Sequence, residues 1–265
     1  MTRVALITGG GRGLGKTIAI ALKQAGYALC ITGQNRAALE AAAAEIGGGV
    51  VTKAFDVSDP IATENAFGEL ESEVGPISLL VNNAGVAAGG LFAHSDPDAW
   101  WRVLEINLRG PMLLTRLVLP SMLANGQGCI INVGSYQGIG PSPGLSAYGV
   151  SKAALARFTD TVAAEVAGRG VLLYAVSPGF VRTDMGQEAE AALSDANPDW
   201  QGFPAEFIFP PEAIADLIVR IAGGEAAGLE GRLLHVKDDL ATMRQSADQI
   251  AAQNLLALKL DGWNG

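Results

Sequence analysis

The sequence predicts an α/β chain: one doubly wound domain over residues 1–265, with about seven parallel strands flanked by helices on both faces. Three observations carry this reading. Short apolar runs rich in β-branched residues alternate with alanine-rich stretches of helical length, the pattern of a buried parallel sheet under two helical layers. Hydrophobic residues make up 49 % of the chain and are spread evenly, which favours one large core over two small ones. The first strand-like run ends in a glycine-rich turn that feeds an amphipathic helix.

Strands are expected at residues 4–8, 28–32, 50–54, 79–82, 130–133, 172–176 and 232–236, and a first helix at 16–25. Ser58-Asp59-Pro60 and Ser95-Asp96-Pro97-Asp98 mark two helix starts, with the aspartate as cap and the proline at the first helical position. The second of these helices is predicted to run from 98 to 124. Its Trp100, Trp101, Leu104, Leu108, Met112 and Leu113 form a surface broader than one sheet contact needs, so part of it is expected to meet another subunit. Residues 182–211 combine acidic side chains with Pro198, Pro204, Phe203, Phe207 and Phe209, and this least regular stretch reads as a substrate lid. After Lys237 comes an extension, 238–265, with a helix expected at roughly 239–259.

Composition removes several function classes. No apolar stretch reaches the ~18 residues of a membrane span, and the chain enters a strand-like run at once, so a cytoplasmic protein without a membrane partner is expected. A net charge of −9 and the lack of a dense Lys/Arg run oppose nucleic-acid binding. His94 and His235 lack companion ligands at metal spacing, so no metal site is expected. Cys30 and Cys129 each lie inside an apolar strand run and read as core residues.

The turn Thr8-Gly9-Gly10-Gly11-Arg12-Gly13-Leu14-Gly15 can bring backbone close to a pyrophosphate at a helix N-terminus. Its spacing departs from the ordinary G-x-G-x-x-G fingerprint. With Asn82-Asn83-Ala84-Gly85, Asn107, Ser135, Tyr148-x-x-x-Lys152 and Pro178-Gly179 following in order, the chain resembles the short-chain dehydrogenase/reductase family over about residues 1–236. The resemblance implies a Rossmann-type domain that holds a nicotinamide dinucleotide. Gly9, Gly11, Arg12, Gly13, Leu14 and Gly15 would surround the pyrophosphate, with Gly33, Gln34 and Asn35 at the end of the second strand. Asp56 and Val57 would hold the adenine, and Asn83, Ala84 and Gly85 would line the floor beneath the adenosine ribose. Pro178, Gly179, Val181 and Thr183 would flank the nicotinamide, whose ribose Tyr148 and Lys152 would approach. Asn107 would help hold a water chain, while Asn82 reads as a sheet-stabilising residue.

The residue types specify a chemistry. A ketone accepts hydride only if its developing alkoxide is neutralised, so a proton donor and a second hydrogen bond must converge on its oxygen. Tyr148 and Ser135 supply these, and Lys152, four residues on along one helical face, can lower the phenol pKa. The expected activity is interconversion of a secondary alcohol and a ketone. No carboxylate stands at the end of the second strand, where Gly33 is followed by Gln34, Asn35 and Arg36; with Arg12 nearby, NADP(H) is preferred and NAD(H) is the alternative.

Specificity is expected from residues 86–92, 137–145 and 182–211, which offer Leu91, Phe92, Ile139, Leu145, Met185 and the phenylalanines. No paired cations are available there to clamp a dicarboxylate, and Arg182 reads as structural, so a hydrophobic carbonyl substrate is expected. One alternative is a 3-oxoacyl-thioester reductase of fatty-acid type. The net charge and the absence of Lys or Arg from 121–128 weaken docking of an acidic carrier protein. Another is a non-catalytic nucleotide-sensing regulator, which the presence of both Tyr148 and Lys152 opposes. The seventh strand lacks the Gly-Gly pair that follows it in many family members, so the usual C-terminal subunit contact is in question; the resemblance still implies a homodimer or homotetramer.

Overall fold

The computed structural model describes residues 3–197 and 199–259. Met1, Thr2, Pro198 of the expected lid and residues 260–265 of the expected extension lie outside them. Strands β1 (Val4–Thr8), β2 (Ala28–Gly33), β3 (Val50–Ala54), β4 (Leu79–Asn82), β5 (Gly128–Val133), β6 (Val171–Ser177) and β7 (Leu233–His235) form one sheet. Its order is β3-β2-β1-β4-β5-β6-β7 and every pairing is parallel. The central strands are buried on both faces. In β1, Ala5 and Ile7 join one core and Val4 and Leu6 the other, as the two-residue period of a strand requires.

Helices α1 (Gly13–Gln24) and α2 (Arg36–Ile46) cover one face, while α3 (Pro60–Val74) covers the other. The predicted aspartate caps are present: Asp59 accepts from Ile61 N and Ala62 N at 2.9 and 3.0 Å, and Asp96 from Asp98 N at 3.0 Å. Each such cap stabilises its helix by about 1 kcal/mol. The predicted 98–124 helix is three pieces: α4 (Pro97–Leu104), a π turn at Glu105–Arg109, and α5 (Gly110–Asn125). Glu105 and Arg109 keep right-handed helical dihedrals, so the chain passes through the π turn without a cap and the sequence reads as one helix. Along it Trp101 is exposed, whereas Trp100, Leu104, Leu108, Met112 and Leu113 are half-buried.

Helix α6 (Ser146–Glu165) precedes β6. The expected irregular lid contains α7 (Asp184–Ala196), capped by Thr183 accepting from Gly186 N at 3.2 Å, and a short 3-10 turn at Ala205–Phe207. Helix α8 (Pro211–Ala222) packs beside α1. In place of one C-terminal helix stand α9 (Leu240–Gln245) and α10 (Ala247–Ala252), followed by turns. The chain beyond α10 crosses the open edge of β7, where Leu233 N donates to Leu256 O at 2.8 Å. That contact covers part of an edge that would otherwise offer unpaired backbone groups.

Cys30 and Cys129 carry free thiols that burial pushes up to about 12; Cys30 lies in one core as expected, whereas Cys129 is half-buried against the other. Among the described residues no helix is long and apolar enough to cross a membrane, and no cluster of three or more His, Cys, Asp or Glu could hold a metal ion.

Candidate active site

The switch in strand direction of travel lies between β1 and β4, and the functional residues gather at the carboxyl ends of the strands around it, where open α/β sheets form their clefts. The glycine turn sits there on β1. A side chain at Gly15 would put its Cβ 2.2 Å from Gly9 O and 2.6 Å from Asn83 Nδ2, so only glycine lets the start of α1 close on the turn. Thr8 Oγ1 accepts from Asn83 N at 3.0 Å and from Ala84 N at 2.9 Å, while Asn83 Nδ2 donates to Thr8 O at 2.9 Å. These bonds tie the glycine turn to Asn83, Ala84 and Gly85 after β4. The resulting backbone cradle at a helix N-terminus fits a pyrophosphate.

Asn82 lies within the sheet, as expected: its Nδ2 donates to Asn132 Oδ1 at 2.8 Å, and Asn132 Nδ2 donates to Thr159 Oγ1 at 2.9 Å. This buried chain locks β4, β5 and α6 together.

The π turn aims Asn107 inward. It is fully buried, donates from Nδ2 to Val86 O at 2.9 Å and Ser151 Oγ at 3.0 Å, and accepts at Oδ1 from Val86 N at 2.9 Å. Ser151, which precedes Lys152 on α6, is a partner that motif spacing did not identify. Lys152 is buried and donates from Nζ to Val133 O at 2.8 Å. Gly85 completes this corner: a Cβ there would stand 3.2 Å from Asn107 Oδ1 and 3.8 Å from Lys152 Nζ.

Ser135 opens a 3-10 turn, Tyr136–Gly138, and its hydroxyl accepts from Gln137 N at 3.2 Å. The turn lies so close on α6 that a Cβ at Gly138 would meet Ala153 N at 2.5 Å. This approach brings the Ser135 hydroxyl to the Tyr148 phenol. Burial raises the Tyr148 phenol above its ordinary value, and the Ser135 bond offsets part of the rise. The expected depression by Lys152 is not present here. The ammonium is 5.5 Å from the ring centroid and engaged by Val133 O, and burial pulls its own pKa down to about 8.

Above Tyr148 lies a small apolar cluster: Leu145 with Ala189, Ala192 and Leu193 of α7, and Trp200 and Phe203 beyond it. Phe203 stacks on Phe180 at 4.2 Å and meets Trp200 edge-on at 5.2 Å. The other expected pocket residues divide. Leu91 and Phe92 are exposed on the surface, and Ile139 lines a separate cleft with Tyr136, Leu256 and Leu258. Phe207 and Phe209 sit beneath Lys237, and Phe209 also meets His235. Apolar character in sequence could not separate these locations, because the packing that distinguishes them is long-range.

Near the glycine turn, Arg12 pairs with Asp184 at the start of α7 at 2.9 Å, rather than standing free for a phosphate. Arg182 is exposed. The backbone of Pro178-Gly179 follows β6, and Phe180 continues into a bridge with Ile208 that fastens the two ends of the 182–211 segment. Beyond β3, Asp56 is held locally by Ser58, two residues on, and by Arg102, a partner that no local motif announces.

Comparison with known proteins agrees with this geometry. A family model described as short chain dehydrogenase matches residues 3–194. A short chain dehydrogenase of Pseudocercospora fijiensis is 38 % identical over 194 residues, 71 % of this chain and 63 % of that protein. The 3-oxoacyl-[acyl-carrier-protein] reductase FabG of Vibrio cholerae is 35 % identical over 239 residues, 88 % of this chain and 95 % of that protein. Among solved structures, an NAD+-bound xylitol dehydrogenase superposes with a TM-score of 0.81 at 25 % identity, covering 88 % of this chain and 96 % of the other. A gluconate 5-dehydrogenase from Burkholderia cenocepacia, in complex with NADP and tartrate, gives 0.76 at 28 % identity, with 91 % and 95 % covered.

Proposed function

The chain belongs to the short-chain dehydrogenase/reductase family, an oxidoreductase family that uses NAD(P), and on that premise we propose that it interconverts a secondary alcohol and a hydrophobic ketone. The observation that carries this reading is the placing of Ser135 beside Tyr148, next to a small cluster that includes Trp200 and Phe203, with buried Lys152 and Asn107 alongside. A nicotinamide cofactor, when bound, supplies or accepts the hydride. Gly9, Gly13 and Gly15 would hold its pyrophosphate, and Lys152 its nicotinamide ribose.

In the reductive direction Tyr148 gives its phenolic proton to the carbonyl oxygen as charge builds there, and Ser135 donates a second hydrogen bond to the same atom. For the Lys152 ammonium to stabilise the phenolate left behind it has to turn from Val133 O toward the Tyr148 ring, 5.5 Å away, an interaction the resting site does not make. Asn107 keeps the Val86 backbone and Ser151 fixed, so the corner next to Lys152 holds its shape. In oxidation the proton returns to Tyr148. The cluster around Phe203 and Trp200 excludes water and favours apolar groups on the substrate carbon.

NADP(H) is the preferred cofactor in this reading, because Gly33 and Gln34 present no carboxylate to repel a 2′-phosphate. Similarity to the Vibrio cholerae reductase supports a second reading, reduction of a 3-oxoacyl thioester. One assay separates them: loss of the reduced-nicotinamide absorbance with NADPH and NADH, against aryl ketones, polyol-derived ketoses and an acetoacetyl thioester. Turnover is expected to be highest with the aryl ketones and NADPH. Turnover confined to the thioester would establish the second reading, and none on any substrate would refute both.

A further inference from the structure

Arg102 of α4 lies outside the catalytic corner, yet its guanidinium makes three polar contacts at the carboxyl edge of the sheet. Nη2 donates to Asp56 Oδ2, and Nη1 to Ser58 Oγ and, at 3.1 Å, to Glu105 Oε2. Asp56 Oδ1 meanwhile accepts from Ser58 N at 2.9 Å and Ser58 Oγ at 2.7 Å. The Asp56 carboxylate therefore has three donors from the protein, and a carboxylate offers about four acceptor positions. One position remains for a ligand.

The topology says which part of a ligand reaches it. Phe55 N donates to Gly33 O at 2.9 Å, so the loops after β2 and β3 lie side by side at the carboxyl edge. They stand on the opposite side of the β1 glycine turn from Ser135 and Tyr148. A dinucleotide whose pyrophosphate rests on that turn, with its reactive half over Tyr148, must lay its other nucleoside toward Asp56. We propose that Arg102 is a positioning residue for the non-reacting nucleoside: it fixes the Asp56 carboxylate as an acceptor for a base bearing an amino donor, as adenine does. The proposal rests on the dinucleotide reading above.

Arg102 stands five positions before Asn107, so it joins two sites. The ion pair anchors α4 on the nucleoside side, and the π turn that follows delivers Asn107 to the catalytic corner. A purely structural role through Asn107 would impair every cofactor alike, whereas action through Asp56 concerns only cofactors that carry the second nucleoside.

The test uses Arg102→Gln and the wild-type chain with two donors: NADPH and reduced nicotinamide mononucleotide, which lacks the adenylate half. Fluorescence titration of NADPH is expected to show Kd rising about tenfold, which corresponds to about 1.4 kcal/mol. The loss in kcat/KM for NADPH should exceed the loss for the mononucleotide by the same factor, and Arg102→Lys should recover part of it. In an Asp56→Asn background the Arg102→Gln effect on NADPH should shrink to about twofold. Equal losses on both donors, or an unchanged Kd in a variant that melts like wild type, would overturn the proposal alone. Wild-type protein that binds neither NADPH nor NADH would overturn the dinucleotide reading and this proposal with it.

Discussion

The proposed catalytic floor and the segment above it are built by different physics. On the floor, Asn107 donates to Val86 O and Ser151 Oγ, and Lys152 donates to Val133 O, each bond 2.8 to 3.0 Å long. Above it, residues 182–211 are held by stacked rings at Phe180 and Phe203, one isolated bridge, and an ion pair between two exposed side chains, Arg12 and Asp184. Buried hydrogen bonds fix position closely and are costly to break. Stacked apolar contacts tolerate rearrangement, and exposed ion pairs contribute little. The floor thus suits a chemistry that does not vary, and the cover suits choice among substrates.

The strongest test of this contrast is Tyr148→Phe. It should lower kcat for ketone reduction by about 10³-fold while the Kd of NADPH stays within about twofold of wild type. Near-normal turnover would show that the floor is not where the proton is handled.

The pH profile follows next in size. Burial lowers the Lys152 pKa to about 8, so its ammonium is present below that pH and lost as pH rises through it. Tyr148, raised above an ordinary tyrosine by burial despite the Ser135 bond, stays protonated over the same window. Reduction should therefore be flat from about pH 6 to 7 and fall toward tenfold per unit above pH 8. A kcat/KM profile that stayed level to pH 10 would detach Lys152 from the reaction.

Changes in the cover should be smaller and selective. Phe203→Ala removes a stacked ring pair worth about 1 kcal/mol, so KM for an aryl ketone should rise about fivefold with the cofactor KM unaltered. A matching loss in cofactor affinity would mean that floor and cover are one unit. Asp184→Asn, the mildest change, releases Arg12 beside the glycine turn and should raise the NADPH-to-NADH ratio of kcat/KM about twofold. A fall in that ratio would show that Asp184 orients Arg12 rather than diverting it.

Much of the floor was legible because its signals are local. Strand runs bounded by turn residues, Asp59 and Asp96 before prolines, and glycines at 9, 13 and 15 each state their conformation within a few residues. The cover was not. Helix α7 reads as irregular because only Ala192 and Leu193 of its thirteen residues are buried, which leaves too weak an apolar stripe to predict a helix. The C-terminal helix was likewise overextended, since alanine-rich residues 247–252 favour helix while Leu256 turns to a left-handed conformation to reach Leu233.

By itself, then, the sequence determined the seven-stranded parallel sheet and the glycine turn, and it named Asn107, Ser135, Tyr148 and Lys152 as candidates, because period, capping and close backbone approach are written in neighbouring residues. Tertiary structure alone decided that a π turn aims Asn107 at Val86 and Ser151, that Arg102 grips Asp56 across 46 positions, and that Phe203 rather than Phe92 or Ile139 joins the apolar cluster on which Tyr148 packs. Those outcomes depend on partners distant in the chain, whose meeting is set by how the helices pack on the sheet and not by any local preference.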